Sequence, residues 1–158
     1  MIDFYDISED YIKFLKKYDE RVPNVNYLSN NKFVCGIVLN IKGIEYYAPV
    51  SHTTEKFRTS LIIKDKKDRP ISSIRFSFMF PALDSVLTVK DFAAVRSIDP
   101  QYASLLDKEY EYCVNHYTAI TQRALSTYKI GCNPKHQLNY TCCNFKLLES
   151  IYKQYNQE

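Results

Sequence analysis

Residues 32–50, KFVCGIVLNIKGIEYYAPV, carry the clearest indication of the fold. Two runs rich in β-branched and aromatic residues are separated by Lys42 and Gly43, a short pair that suits a tight turn. The sequence therefore predicts a β-hairpin whose strands cover residues 32–41 and 44–50. The stretch that follows, residues 51–57, is too polar to be a core strand.

A second hairpin is predicted after this polar stretch. Strand patterns over residues 59–64 and 71–80 flank the charged turn DKKDRP at residues 65–70. From Ser73 to Phe80, isoleucine and phenylalanine alternate with serine, arginine and methionine. This period of two predicts one half-buried antiparallel strand that continues to Phe80.

Helical patterns surround this β-rich region. The remaining predicted segments are a short extended start at Phe4-Tyr5, a helix from Asp6 or Ser8 to about Tyr18, a helix from Asp99-Pro100 to Gly131 that is either unbroken or broken near residues 116–118, a short strand within residues 139–144, and a closing helix over residues 145–155. Strands dominate the first half and long helices the second, which is typical of α+β proteins. We expect one domain over residues 1–158, with a strongly twisted or half-closed antiparallel sheet and helices packed on its faces.

Composition narrows the class of protein only moderately. Lys and Arg number 21 against 18 Asp and Glu, so the net charge of +3 does not by itself indicate a nucleic-acid partner. The 14 tyrosines suit stacking on single-stranded RNA, although tyrosines at the edge of a core are the ordinary explanation. Five cysteines, without a signal-peptide pattern or a membrane-spanning stretch, predict a cytoplasmic protein with free thiols and no membrane contact.

The polar segment SHTTEK, residues 51–56, is the leading candidate for chemistry because a strand would position it. Cleavage of RNA by its own 2′-hydroxyl needs a base, an acid, and donors or a cation for the charged phosphorane. Histidine serves as base or acid near neutral pH, lysine supplies a charge, and hydroxyls donate to phosphate oxygens. The segment offers all three types in Ser51, His52, Thr53, Thr54 and Lys56. The alternative is a solvated loop whose hydroxyls bond to their own backbone.

Other candidates lie before and after this segment. Tyr27 and Lys32 flank a loop that leads into the first hairpin, and alone they form a weak pair. The second hairpin carries basic residues that would form a positive ridge along RNA phosphates, namely Arg58, Lys64, Lys66, Lys67 and Arg69. For residues 66–69 a solvated turn is an equally good explanation.

Cysteine and histidine residues in the second half raise the alternative of zinc. The possible ligands are Cys132, His136, Cys142 and Cys143, and also Cys113 with His116 one helical turn away. The sequence has no C-x-x-C spacing, which favours buried small side chains over a metal site. No local spacing supports a nucleophilic Cys–His pair either. No metal and no other cofactor is predicted.

Three stretches in this order resemble the ToxN/AbiQ family of type III toxin–antitoxin endoribonucleases. They are VPNVNY at residues 22–27 leading into FVCGIVL at residues 33–39, YAPVS at residues 47–51, and CNFKLLE at residues 143–149. The opening FYDIS, residues 4–8, also fits, so the resemblance runs almost end to end. It implies a strongly twisted antiparallel half-barrel like that of the Kid/MazF toxins, surrounded by helices.

The resemblance also implies an activity and a partner. The activity is metal-independent, sequence-biased cleavage of cellular or phage RNA, which leaves 2′,3′-cyclic phosphates, with a role in abortive infection by phage. The partner is an antitoxin RNA of repeated pseudoknots, which the toxin processes and then binds in a closed protein–RNA assembly.

The family's hydroxyl pair maps onto the polar segment with one departure. Ser51 matches the first hydroxyl, but His52 stands where a second serine is usual. Thr53 or Thr54 would then take over the second hydroxyl's role, and the identity of the general base stays open. His52 is our candidate for the general base or acid.

The family's basic and aromatic positions map less regularly. Lys56 lies further along the chain than the family's lysine. Tyr27 matches the family's tyrosine before the hairpin, and Lys32 matches its lysine with one residue's difference in spacing. Two rival functions remain, a non-catalytic RNA-binding protein and a protein–protein interaction module. The first would bind RNA without cutting it, and the second would show no salt-dependent affinity for RNA.

Overall fold

The computed structural model describes residues 2–24 and 33–157. Within them seven strands form one antiparallel sheet, namely β1 Phe4–Ile7, β2 Phe33–Ile41, β3 Ile44–Ser51, β4 Ser60–Lys64, β5 Pro70–Arg75, β6 Phe80–Pro81 and β7 Leu87–Val89. The five α-helices of the described residues are α1 Glu9–Lys16, α2 Phe92–Ile98, α3 Pro100–Asn115, α4 Tyr117–Gly131 and α5 Phe145–Ile151. This architecture confirms the predicted α+β class.

The predicted hairpin of β2 and β3 is confirmed, and it lies in the middle of the sheet. Its pairing extends without interruption from the turn to Cys35 opposite Val50, and after a register shift Phe33 pairs with Ser51. Lys42 and Gly43 in the turn have φ angles of 52° and 88°. Two consecutive residues with positive φ form a two-residue turn whose twist matches that of the flanking strands. Around this hairpin the strand order is β4-β5-β3-β2-β1-β7, with β6 pairing to β3 outside that path.

The pairing of β3 with β5 decides which side chains share a face. Val50 lies opposite Ile74, and Ser51 lies opposite Ser73. Partners in a pair project to the same face, whereas neighbours along a strand project to opposite faces. Val50 and Ile74 are buried in the core, so the two serines project from the other face of the sheet.

Long helices cover the core face. Tyr110 of α3 makes an edge contact with Phe4 of β1, with 5.8 Å between ring centroids. Tyr128 of α4 contacts Tyr46 of β3 at 5.7 Å, and both hydroxyls donate to Oε2 of Glu149 in α5, over 2.6 and 2.5 Å. One carboxylate therefore joins the sheet to two helices.

Two predicted helix starts are confirmed by their caps. The Ser8 hydroxyl accepts a hydrogen bond from Tyr11 N at the start of α1, which selects Ser8 over Asp6. Asp99 accepts from Tyr102 N, and Pro100 occupies the first turn of α3. The long helical pattern is broken at His116, so the two-helix alternative is the correct one.

The predicted second hairpin is confirmed by the pairing of β4 with β5, but the strand predictions are wrong over residues 76–78 and within residues 139–144. The strand expected over residues 71–80 ends at Arg75, where Phe76–Phe78 form a 3-10 turn. Ser77 and Met79 are buried rather than facing solvent, because Phe76 N donates to Thr59 O and Cys143 N donates to Ser77 O. These long-range bonds bend the chain and end the alternation.

The second wrong strand was expected within residues 139–144. Asn139–Thr141 form a 3-10 turn instead. The Asn139 side chain donates to Ile130 O and Gly131 O, so it satisfies the last carbonyls of α4 rather than extending a strand. The closing helix was predicted correctly, although α5 ends at Ile151 and continues as a 3-10 turn over Tyr152–Gln157. The pattern after Pro81 did not predict α2 and β7.

Candidate functional site

The polar segment, residues 51–56, leaves the sheet at the end of β3. Ser51 is the last residue of that strand and is 1% exposed. It pairs with Ser73 of β5 on one side and with Phe33 of β2 on the other. The segment therefore starts between two paired strands, which fixes its origin in the fold.

Hydroxyl groups fold the segment back over β5. Ser51 Oγ accepts from Thr53 N at 3.2 Å, and Thr53 Oγ1 accepts from Glu55 N at 3.3 Å. Ser73 Oγ donates to Thr53 O at 2.8 Å. The first two contacts are local bonds between hydroxyls and the backbone, which the solvated-loop alternative also predicts. The third joins residues 20 apart in the sequence and attaches the segment to β5, which that alternative does not predict.

The side chains of the polar segment differ in their access to solvent. His52, Thr54 and Lys56 are exposed, and Thr53 is half-buried. A macromolecular substrate can therefore reach an imidazole, an ammonium and hydroxyls on one short segment. Ser51 is buried, and its Oγ accepts a hydrogen bond from Thr53 N. Its side chain therefore lies below the exposed side chains of the segment.

The far end of the segment is attached to α4. Ser60 Oγ bonds to both the N and the O of Phe57, over 3.3 and 3.2 Å. Arg123 of α4 donates to Ser60 O at 2.7 Å and to Arg58 O at 3.5 Å. The Arg58 side chain remains exposed. Both ends of residues 51–60 are thus held by regular elements.

An arginine that the sequence did not single out lies beside the segment. Arg75, the last residue of β5, places its guanidinium carbon 4.2 Å from the ring centroid of Phe57 and 4.9 Å from that of Phe78. Burial lowers the pKa of this guanidinium, and the carboxylate of Glu55 acts in the opposite direction. A second cation therefore borders the polar segment.

Four of the five residues of the predicted basic ridge lie at the end of the second hairpin that is opposite the polar segment, namely Lys64, Lys66, Lys67 and Arg69. Lys64 is 3.6 Å from Asp68, and Lys66 is 3.7 Å from Glu111 of α3. The turn and α3 enclose a cleft of about 730 Å³, whose lining includes five basic and four acidic side chains. The structure thus does not bring Lys64 and Lys66 to the polar segment, and acidic neighbours partly neutralise them.

The residues considered for zinc do not converge in the described part of the chain. No group of three or more His, Cys, Asp or Glu residues has the proximity of a metal site among residues 2–24 and 33–157. Cys142 and Cys143 are buried free thiols, and Nδ1 of His136 accepts from Leu138 N at 3.0 Å. The favoured explanation, small buried side chains, agrees with this arrangement.

A sequence model of the family described as toxin ToxN, type III toxin–antitoxin system, matches residues 3–153. The chain belongs to the ToxN family. A relative named Endoribonuclease ToxN, from Pectobacterium atrosepticum, is 27% identical over 166 residues, which cover 98% of this chain and 94% of the relative.

Solved structures share the fold of this ToxN-family chain. One comes from work on selective toxin inhibition by a non-coding RNA pseudoknot in bacterial type III systems, and it matches with a TM-score of 0.88, 24% identity and coverage of 99% of both chains. Another is AbiQ, a lactococcal anti-phage endoribonuclease of a type III system, with a TM-score of 0.73, 20% identity, and coverage of 100% of this chain and 99% of that one. The sequence resemblance to the ToxN/AbiQ family is confirmed.

Two predicted positions of the ToxN-family site, Tyr27 and Lys32, lie outside the described residues. Phe33, the residue after Lys32, pairs with Ser51. Residues that sequence reasoning missed are Ser73 and Arg75, which join the site only through the register of β3 with β5. In this ToxN-family chain, no helix of the described residues is long and apolar enough to cross a membrane.

Proposed function

We propose that this member of the ToxN family is a sequence-biased endoribonuclease that cuts RNA by attack of a 2′-hydroxyl on the adjacent phosphate, without a metal ion. The observation that carries the proposal is the segment of residues 51–56, which presents His52 and Lys56 to solvent while Ser73 holds it against β5. The relative named Endoribonuclease ToxN supports the same activity.

The proposed chemistry assigns one role to each type of side chain. His52 acts as general base on the 2′-hydroxyl or as general acid on the departing 5′ oxygen. Lys56 stabilises the charged phosphorane, and the Thr53 hydroxyl holds the scissile phosphate, a role that the sequence also predicted for Ser51. Because Ser51 is buried, its share is to fix Thr53 through the bond to Thr53 N. The 2′ oxygen forms its bond to phosphorus as the 5′ oxygen leaves, which gives a 2′,3′-cyclic phosphate.

The remaining predicted residues would bind RNA around this centre. Tyr27 and Lys32 orient the RNA strand, and Thr54 and Arg58 contact it along the exposed segment. Lys64 and Lys66 would contact phosphates further away, at the end of the second hairpin. A single domain over residues 1–158, acting in the cytoplasm, carries the whole activity.

The proposed partner is an antitoxin RNA of repeated pseudoknots, which the toxin processes and then binds in a closed protein–RNA assembly. The similar structure from work on toxin inhibition by an RNA pseudoknot supports this partner. The similarity to AbiQ, an anti-phage endoribonuclease, supports a role in abortive infection with cellular or phage RNA as substrate.

The test is incubation of the RNA-free protein with a long single-stranded RNA in EDTA, followed by mapping of the new ends. We expect discrete cuts with cyclic-phosphate 3′ ends. His52→Ala should abolish cutting and leave RNA binding nearly unchanged, since general acid–base catalysis contributes roughly 10²- to 10⁴-fold. His116→Ala is the matched control, because His116 is also exposed but lies between α3 and α4.

Two results would contradict the proposal. Intact RNA after incubation with folded protein that binds it would favour the non-catalytic RNA-binding protein. Wild-type cutting by the His52→Ala variant would remove the general acid–base role from that residue.

A further inference from the structure

Arg75 is a partly buried cation that contacts two phenylalanine rings and feels the carboxylate of Glu55, but whose Nε has no hydrogen-bond partner in the described structure. Its Nε is inaccessible to solvent and has no hydrogen-bond partner among residues 2–24 and 33–157. No carboxylate of those residues is within ion-pair distance of the guanidinium, and that of Glu55 acts on it from further away. Residues 25–32, VNYLSNNK, contain no acidic residue, so outside the described ranges only Glu158 carries a carboxylate side chain. A guanidinium has five donors, and leaving such a group unpaired costs free energy.

The position of Arg75 relates it to the polar segment. Ser73 and Arg75 are two residues apart in β5, so their side chains project from the same face of the sheet. Ser73 opposes Ser51 and holds Thr53 O through its hydroxyl. Phe57, whose ring contacts the guanidinium, directly follows Lys56 in the chain. Arg75 thus lies on the same face as the proposed cleavage site and next to its last residues.

The two phenylalanine rings fix the orientation of the guanidinium. Its carbon lies within 5 Å of the centroids of both Phe57 and Phe78, the range of a cation–π contact. Arginine carries considerable rotamer entropy, and prior fixation lowers the cost of binding a ligand. The planar fork of donors matches two oxygens of a phosphate.

We propose that Arg75, held by Phe57 and Phe78, is an RNA-binding residue that contacts a backbone phosphate next to the scissile one. The inference rests on the proposed function, which places RNA on the segment of residues 51–56. A phosphate would supply the direct ionic partner that Arg75 lacks among the described residues. Because the contact is to the backbone, it positions the strand without selecting a base.

The test measures binding without cleavage, using a fully 2′-O-methylated single-stranded RNA that cannot be cut. We expect Arg75→Gln to bind about tenfold more weakly and to lower the slope of log affinity against log salt by about 0.7, the value for one phosphate contact on a single strand. Arg75→Lys should keep the slope, because it keeps the charge, and lose affinity several-fold, because it lacks the planar fork.

Arg58→Gln is the matched control, since Arg58 is an exposed arginine one residue beyond Phe57 that makes no such ring contacts. It should weaken binding less than Arg75→Gln does. On cleavable RNA, Arg75→Gln should raise KM more than it lowers kcat. A purely structural role for Arg75 would leave the salt slope unchanged.

Folded Arg75→Gln with wild-type affinity and salt slope would overturn the inference. If Arg75→Gln fails to fold, Arg75→Lys decides, with several-fold weaker binding supporting the inference and wild-type affinity overturning it. The two proposals fail separately. Loss of binding in Arg75→Gln while wild-type protein cuts nothing would refute only the cleavage, whereas normal binding by Arg75→Gln in a protein that cuts RNA would refute only the phosphate contact.

Discussion

Glu109 of α3 is an acidic side chain within the core, 1% exposed. Its Oε1 has no hydrogen-bond partner among the described residues. Burial raises the pKa of this carboxyl to about 7 from an ordinary value of 4.5, while the Ser72 hydroxyl acts in the opposite direction. Burial raises the pKa of the Cys35 and Cys113 thiols, and the nearby carboxylate of Glu109 raises it further. The core therefore favours a neutral carboxyl among protonated thiols.

This burial makes the stability of the protein depend on pH. Below about pH 4.5 the carboxyl is protonated in both the folded and the unfolded protein, and its burial costs no stability. As the pH rises from there through about 7, the carboxyl ionises more readily in the unfolded protein, and this stability is lost. We expect the free energy of unfolding of the wild type to fall, relative to Glu109→Gln, by up to about 1.4 kcal/mol per pH unit in this window. Urea denaturation across the window measures the difference.

Glu111→Gln is the control for this prediction, because Glu111 lies on the same helix but is exposed. It should follow the pH dependence of the wild type. Identical pH dependence in the wild type and Glu109→Gln would mean that the carboxyl is not neutral in the folded protein.

Among the elements, β5 supports the proposed site with one face and the core with the other. Ser73 donates to Thr53 O, whereas Ser72, its neighbour, faces Glu109 in the core. We expect Ser73→Ala to loosen residues 51–56 and to slow RNA cleavage about tenfold at saturating RNA, since small misplacement of reacting groups is costly. Single-turnover kinetics measure this rate.

Ser72→Ala is the matched control, with the same change one residue away on the opposite face. It should alter stability but leave the cleavage rate unchanged. Equal effects of the two variants on the rate would show that β5 acts through general stability rather than through the bond to Thr53.

Elements that local sequence determines could be predicted, and those that distant contacts determine could not. The β2–β3 hairpin follows from its own two runs of β-branched and aromatic residues and from a turn at Lys42 and Gly43 that accepts left-handed residues. The end of β5 at Arg75 depends on bonds from Phe76 to Thr59 and from Cys143 to Ser77, which no local pattern shows. A strand interpretation of residues 76–80 was therefore wrong although the alternation was real.

The difference between local sequence and distant contacts also explains which residues of the proposed site could be predicted and which could not. The polar segment is contiguous, so its residue types could be seen together in the sequence. Ser73 and Arg75 join it because β5, and not β4, lies next to β3. That order is a property of the assembled sheet, which the chain order of the strands does not specify.

At the scale of the whole molecule, a net charge of +3 is small, so the attraction of RNA depends on where the charged side chains lie. Lys56, Arg58 and Arg75 lie on or beside the polar segment. Lys66 lies instead at the distant cleft, where Glu111 is 3.7 Å away. An RNA that spans both regions would have to draw Lys66 away from that carboxylate.

This arrangement predicts opposite effects of two substitutions at the cleft. Lys66→Ala should weaken binding of a long single-stranded RNA about threefold, and Glu111→Gln should strengthen it by a similar factor, because an exposed ion pair is worth under about 1 kcal/mol. Neither change should alter the rate at which bound RNA is cut, since the cleft is remote from His52. Titration at two salt concentrations, together with single-turnover cleavage, separates the two quantities. If neither variant changes affinity, RNA does not extend to the second hairpin, and the contacts near Ser51 account for its binding.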